Sequence, residues 1–443
     1  TLITNERSIN GVDKIIAQYF PVKDEVDWQK EAALRAINDT FTIITGGPGT
    51  GKTTTVVKIL ALLQELSVQP LNIALAAPTG KAAMRLQESI GQNIASLPGS
   101  QWIKNTIPVQ VITLHRLLGA RPPSPYFKYN KDNPLPYDIV VVDEVSMIDL
   151  PLMCKLVNAL KKGTRLILLG DKDQLASVET GSVLADLTIA LPEYTQELKK
   201  TYRFSGQIKT FADAVNQQRE RDAWELLIQN HAQVLLLKKD LIEFIVNKQT
   251  VYLQLISDGA EFKHCFDAFN SFQVLCATRQ GVNGVADINL RVTQQLKERK
   301  LIQSSRLWYS GRPVMVTQND PVLRLYNGDI GICMPDAESD GKLMVFFLLP
   351  DGAIRKYMPA RLSYCETVFA MTIHKSQGSE FNEVLLVLPE SMNPVLTKEL
   401  IYTGVTRAKK FLKLVTNKVV FLETIQRRVE RYSGLADRIK KKA

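Results

Sequence analysis

The stretch FTIITGGPGTGKTTTVVKILALLQEL, Phe41 to Leu66, decides the reading of this chain. It opens on an apolar, β-branched run, turns through Gly46, Gly47, Gly49 and Gly51, and continues with apolar residues at helical spacing. Gly46 to Thr53 matches G-x-x-x-x-G-K-[ST], a phosphate loop set between a strand and a helix. Gly46, Gly47, Pro48, Gly49, Thr50, Gly51, Lys52, Thr53 and Thr54 are therefore the candidate nucleotide cradle. Glycines let the backbone curl so that its N–H groups face phosphate oxygens, aided by the helix N-terminus. Lys52 offers a point charge to the β- and γ-phosphates, and Thr53 a hydroxyl to Mg2+. A mere Gly-rich turn before a helix is the bland alternative, and the flanking strand and helix weigh against it.

The second half of such a site lies in DIVVVDE, Asp138 to Glu144. Asp143 ends an apolar strand, where it is placed to hold Mg2+ through water. Glu144 beside it is placed to orient and deprotonate the attacking water. Two acids ending a strand are often only a solvated edge; behind a phosphate loop they indicate an NTPase.

Further apolar runs, LNIALAAPT (Leu71–Thr79) and RLILLGD (Arg165–Asp171), suit strands covered on both faces of a parallel sheet. Helical patterns such as GKAAMRLQESIG alternate with them, which makes the first half a doubly wound α/β domain. FQVLCATR, EVLLVLP and FLKLVTN predict a second α/β sheet further on. Between its strands, from about Arg312 to Leu362, short β-like runs broken by NG, DG and SDG turns predict a small inserted β-barrel. The Pro-rich segment Gly119–Asp138 is either a loose loop or a short protruding hairpin. Its Tyr126, Phe127 and Tyr129 either stack on bases or serve as structural aromatics. The basic tail from Arg427 to Lys442 reads equally as a solvated helix face.

At 443 residues the chain exceeds one compact core, and size alone suggests roughly three domains. Its 23% charged and 45% hydrophobic residues are ordinary for a globular protein, with neither a membrane-length apolar run nor a signal peptide. It begins at Thr1 rather than Met, so a natural N-terminal portion is expected ahead of it. Five scattered cysteines without a CxxC pair argue against a disulfide framework or structural zinc and fit a reducing cytoplasm. The net charge of +10 makes nucleic acid the first partner to suspect.

Three other features bear on what hydrolysis drives. Gln174, in LLGDKDQLASV, follows a strand and is in reach of the γ-phosphate. Arg203 (KKTYRFSG) and Arg407 (YTGVTRAKK) are either surface ion-pair partners or arginine fingers that stabilise charge on the transferring phosphoryl group. VFAMTIHKSQGSEF, Val368 to Phe381, sets His374 near Ser376 as a hydrolase would, yet no orienting group or oxyanion site accompanies them.

The ordered set WQKEAA, GGPGTGKTT, AAPTGKAA, TLHRLLG, VVDEVSMID, GDKDQL, YRF, MTIHKSQGSEF and YTGVTRAKK resembles superfamily 1 DNA helicases. More narrowly it resembles the RecD family, the alpha subunits of bacterial exodeoxyribonuclease V (RecBCD), from about residue 12 onward. The resemblance implies two RecA-like domains, at 26–200 and 201–443, with an SH3-like barrel at 312–362. It makes 1–25 the remnant of a partner-docking region. Gln29 would read adenine and Glu380 would lie near the ribose; Pro78, Thr79, Lys81, Thr113, His115, Arg116, Thr372, His374 and Gln377 would contact DNA. It further implies ATP and Mg2+, 5′→3′ movement on single strands at duplex ends, RecB-like and RecC-like partners in a heterotrimer, and work in DNA repair and recombination in the cytoplasm. The link between Leu187 and Lys199 is short for this family. A stand-alone RecD-like helicase, an RNA or replication-accessory helicase and an ATP-gated DNA clamp are the alternatives, and no separate acidic cluster suggests a nuclease.

Overall fold

The computed structural model describes residues 9–21, 25–121, 124–176, 182–201, 206–229, 232–303, 306–320, 322–349, 352–429 and 434–440. The chain divides into two compact units, Thr1–Arg203 together with Glu430–Ala443, and Phe204–Val429.

The first unit is built on six parallel strands, β1 (Phe41–Thr45), β2 (Ile73–Ala77), β3 (Ile112–Thr113), β4 (Ile139–Val142), β5 (Arg165–Gly170) and β6 (Thr195–Glu197). Their order is β3-β2-β4-β5-β1-β6. Successive side chains of a strand point to opposite faces, and both faces here are covered. Ile44, Leu75, Val141 and Ile167 join one cluster with the helices Trp28–Asn38, Lys52–Leu66 and Gly80–Ala95. Ile43, Ala76, Val142 and Leu168 join the other, with Leu150–Asn158 and Val183–Ala190. That double burial is why the runs read as continuous apolar sequence.

Both ends of this unit differ from the expected boundaries. The helix Ile9–Tyr19 and Phe20 just after it bring Ile16, Tyr19 and Phe20 into the first cluster, so the stretch expected as the remnant of a partner-docking region packs on the α/β core. The helix Leu435–Lys440 lays Leu435 and Ile439 on the second cluster, against Val183–Ala190. The expected 201–443 domain therefore loses its tail to the first unit. Six residues cannot bury an apolar face alone, and partnering across sequence is invisible to local pattern. The short link after Leu187 folds directly into β6, the sheet edge beside β1.

The Pro-rich segment is pinned. Lys128 N–H donates to the Gly119 carbonyl and Tyr129 N–H to that of Leu118, both at 3.0 Å, and Ala120 bridges Phe127. Phe127 and Tyr129 pack on the second cluster, whereas Tyr126 is 79% exposed. The structural reading holds for the first two aromatics, and Tyr126 alone projects.

The second unit holds five parallel strands, β7 (Val234–Leu236), β8 (Phe272–Cys276), β14 (Ala370–Thr372), β15 (Phe381–Val387) and β16 (Ala408–Val415), in the order β14-β8-β15-β16-β7. Between β8 and β14 an antiparallel sheet is inserted, with β9 (Pro313–Val316), β10 (Ile330–Asp336), β11 (Lys342–Leu348), β12 (Ile354–Tyr357) and β13 (Cys365–Thr367) in the order β12-β11-β10-β9-β13. It has its own core of Val314, Val316, Leu325, Val345 and Phe347. Its strands run to Thr367, past the expected limit of 362, because the polar triplet Cys365–Thr367 carries no apolar run.

Arg165 closes the first unit at one critical point. It is 4% exposed, and its Nη1 donates to the carbonyls of Ala36 and Asp39 at the end of the helix Trp28–Asn38. Loss of a donor to buried carbonyls costs about 1–3 kcal/mol each. Arg165→Ala is expected to destabilise the first unit by roughly 2–4 kcal/mol, read as a lower urea midpoint. An unchanged midpoint would refute this role.

Candidate nucleotide site and second-unit motif cluster

The phosphate loop leaves β1 at the carboxyl edge of the first sheet, where ligands of open α/β sheets bind. Gly49 and Gly51 have φ of 77° and 82°, a region L side chains disfavour. A Cβ on Gly46 would meet Thr50 Oγ1 at 2.8 Å and the Leu198 carbonyl at 2.9 Å. Lys52 Nζ donates to the carbonyls of Gly46 at 2.6 Å and Gly47 at 3.2 Å, which holds the ammonium over the loop. Gln29 Nε2 donates to the Thr50 carbonyl at 3.4 Å. Gln29 and Thr50 line a cavity of about 100 Å3 together with Asp27, Trp28, Leu198 and Lys200. A slot beside a phosphate loop, with an aromatic wall and an amide, suits a nucleobase.

Two strand ends away, Asp143 is pushed up to about 6 by burial first and by Glu144 second, while Lys52 and the Glu144 N–H pull it down. Glu144 stands in the left-handed region, φ 51° and ψ 40°, and its N–H donates to Asp143 Oδ1 at 2.8 Å. Such a backbone costs about 1–3 kcal/mol in a non-glycine residue and clusters at functional sites. Thr53 and Asp143 supply hard oxygen donors of the kind Mg2+ takes, a hydroxyl and a carboxylate, so the residues fit that ion.

Asp171 is the residue sequence reading missed. It lies just past β5, is 2% exposed, and is pushed up to about 6 by burial, with Lys52 again opposing. Gln174 Nε2 donates to Asp171 Oδ2 at 3.1 Å, and Asp173 N–H to Oδ1 at 3.0 Å. Asp171 thus orients the predicted sensor Gln174. Its place in GDKDQL was the available signal: an acid one step beyond an apolar strand, like Asp143.

The second-strand motifs divide by what their side chains do. Thr79 Oγ1 accepts from Ala82 N–H and Thr113 Oγ1 from Arg116 N–H, so both hydroxyls cap helices. His115 and Arg116 are exposed, with the His115 ring 5.9 Å from Phe127. Pro78 and Lys81 flank the Thr79 cap.

In the second unit, Thr372 ends β14 and its Oγ1 accepts from Lys375 N–H at 3.3 Å. His374 to Ser376 form a 3-10 turn, and the buried Ser376 hydroxyl donates to the Ile373 carbonyl at 2.7 Å. Ser376 is therefore spent on its own turn and forms no nucleophile pair with His374. Gln377 follows the turn, and Glu380 lies 3.6 Å from Lys409. Arg407, 3% exposed, donates Nε to the Thr403 carbonyl, Nη1 to the Ser379 carbonyl and Nη2 to Thr406 Oγ1. Thr372, His374, Gln377, Glu380 and Arg407 thus belong to one unit. Arg203 lies outside the described residues. Among the described residues no group of three or more His, Cys, Asp or Glu could hold a metal ion, and no helix is long and apolar enough to cross a membrane.

A phosphate loop with paired strand-end acids, followed by a second α/β unit, fits the class of ATP-driven helicases. The AAA domain family matches residues 29–180 and the UvrD-like helicase C-terminal domain family matches 367–415. The RecBCD enzyme subunit RecD of Haemophilus influenzae is 39% identical over 97% of this chain and 75% of that protein. That of Mycolicibacterium smegmatis is 40% identical over 93% and 74%. The ATP-dependent RecD2 DNA helicase of Deinococcus radiodurans is 31% identical over 90% and 50%. In fold, the chain is similar to Pif1 helicase from Bacteroides in complex with ADP-AlF3 and ssDNA, with a TM-score of 0.51 at 18% identity, over 95% of this chain and 98% of that one. The chain belongs to the RecD family and is an ATP-dependent DNA helicase.

The raised carboxyls have two opposite consequences. A carboxyl whose folded pKa is raised from 3.8 to about 6 weakens the fold at neutral pH, and that penalty is relieved as pH falls through about 6. Chemistry instead needs these groups ionised. ATPase activity is therefore expected to fall on the acid side, as the raised carboxyls take up protons. Asp171→Asn should lower kcat at least about tenfold by releasing Gln174. It should melt no lower than the parent at pH 7.5, with any advantage shrinking as pH falls from about 6 towards 3.8. Early melting at pH 7.5 would show Asp171 to be structural only.

Proposed function

We propose that this chain is the 5′→3′ motor of a DNA end-processing helicase–nuclease, assembling with RecB-like and RecC-like subunits in the cytoplasm during repair and recombination. The observation that carries the motor is the shared charge at the first sheet's carboxyl edge: one lysine opposing two buried aspartates, with a glutamine bonded to one of them. The partner assignment rests on the RecD relatives, which are subunits of the RecBCD enzyme. The inserted antiparallel sheet is, in this reading, an SH3-like barrel.

Bound Mg2+ would neutralise charge between the β- and γ-phosphates, held by Thr53 and by Asp143 through water. The chain's own residues do the rest. Gln29 reads the adenine edge in its slot, and Gly46 to Thr54 cradle the phosphates. Lys52 leaves the loop carbonyls for the β- and γ-oxygens. Glu144, aimed by its left-handed backbone, accepts the proton of the attacking water. Gln174 senses the γ-phosphate; Arg203 and Arg407 stabilise charge on the transferring group, and Glu380 lies near the ribose. Pro78, Thr79, Lys81, Thr113, His115, Arg116, Thr372, His374 and Gln377 hold the DNA backbone. Phosphate contacts carry no base identity, so movement is largely sequence-independent.

A strand-displacement assay with 5′- and 3′-tailed DNA and RNA duplexes tests this reading, with and without the partner subunits. The chain should unwind only 5′-tailed DNA, weakly alone and faster in the assembly. Lys52→Ala should abolish unwinding. Displacement from 3′ tails, or by Lys52→Ala, contradicts the reading. In the same assay His374→Ala should retain ATP binding but lose most DNA stimulation of hydrolysis; loss of ATP binding itself would rule out the coupling role.

A further inference from the structure

The second unit contains a cavity of about 480 Å3 at the foot of the inserted sheet. The helix Leu241–Ser257, the segment after Val285–Glu298 and Leu343 of β11 enclose it. None of the residues assigned above to nucleotide or DNA lines it. Its walls combine three kinds of surface. Leu253 and Ile256 are apolar, Trp308 is aromatic, and Lys300 and Arg306 are cationic, with no Asp or Glu in the lining.

Those two cations differ from their neighbours. Arg299 Nη1 donates to Asn247 Oδ1 at 2.7 Å and Nη2 lies 3.6 Å from Glu243. The Arg312 guanidinium lies 4.5 Å from the Trp308 ring and donates to Thr367 Oγ1 and the Leu307 carbonyl. Lys300 and Arg306 are both exposed, and among the described residues neither forms an ion pair. From Lys297 to Arg312 the chain carries five basic residues, Lys297, Arg299, Lys300, Arg306 and Arg312, against the single acid Glu298.

Lys300 also holds a position where a lysine is unexpected. It has φ 57° at the end of the helix Val285–Glu298, where Leu301 N–H donates to the Leu296 carbonyl at 3.0 Å. That is the left-handed helix-end position glycine normally takes. A long cationic side chain there, aimed at a cavity without acids, indicates an anionic ligand. An aromatic wall beside cations is the chemistry of an unpaired nucleotide, with the base on the ring and the phosphate on the cations.

We infer that this cavity is a second contact for single-stranded DNA, which takes one or two nucleotides against Trp308 with their phosphates on Lys300 and Arg306. It rests on the helicase reading above, and adds a hold on the strand separate from the proposed motor contacts.

The test is strand affinity of the full chain carrying Lys300→Ser and Arg306→Ser, measured by fluorescence anisotropy on a long oligo-dT. We expect about tenfold weaker binding near 0.1 M salt, and a log-affinity against log-salt slope shallower by about 1.4, the value for two single-strand phosphate contacts. The maximal ATPase rate at saturating DNA should be unchanged, and Trp308→Phe should retain most of the affinity. If the double variant melts like the parent and keeps both affinity and slope, the site is not a nucleic-acid site. Unchanged strand binding with loss of assembly onto the partner subunits would instead make it a protein-docking surface and overturn the inference. Failure of the helicase reading would appear separately, as unwinding that survives Lys52→Ala.

Discussion

One lysine facing two buried carboxylates governs the first unit. Lys52 lowers both Asp143 and Asp171, while burial drives both up to about 6. Charges so placed are costly in a low-dielectric interior, and at Asp143 the guanidinium of Arg85 opposes that cost together with Lys52. The strained Glu144 backbone, the positive-φ glycines and the buried Gln174–Asp171 bond all serve to hold that charge geometry at one sheet edge.

The fold supports the cluster by covering the sheet twice. Alternate residues of β1, β2, β4 and β5 enter opposite cores, which fixes where each strand ends. Arg165 contributes from beneath, tying the end of the Trp28–Asn38 helix to β5. That helix begins beside Gln29, so the nucleobase slot and the sheet share one support. Thr79 and Thr113 act locally in the same unit, their hydroxyls capping the helices that follow β2 and β3.

The second unit works by a different logic. The polar turn at His374 is held internally, through Ser376 to Ile373 and through Lys375 to Thr372. Lys375 Nζ also donates to Asn327 Oδ1 of the inserted sheet at 2.6 Å. The turn is therefore tied to the insert as well as to its own strand. Arg407 is likewise held from within its own unit, by the Thr403 and Ser379 carbonyls and the Thr406 hydroxyl.

Features legible in the chain were local ones. The phosphate loop needs glycines, a lysine and a threonine within eight consecutive residues, and the acids of DIVVVDE end a run that only a doubly covered strand would show. Loops, strand ends and turn chemistry are written in neighbouring residues, so the sequence by itself determined the two α/β units, the inserted sheet and the phosphate loop. What tertiary structure decided is non-local. β6 and β13 are three residues each and exist through pairing with β1 and β9. The helix Leu435–Lys440 returns to a core formed some 250 residues earlier, and Ile9–Tyr19 joins one that its own pattern does not announce. Asp171 stands out only through its burial and the Gln174 amide that donates to it, neither of which its neighbours in the chain announce. Burial and long-range pairing depend on what the rest of the chain brings near, and no window of neighbouring residues contains that.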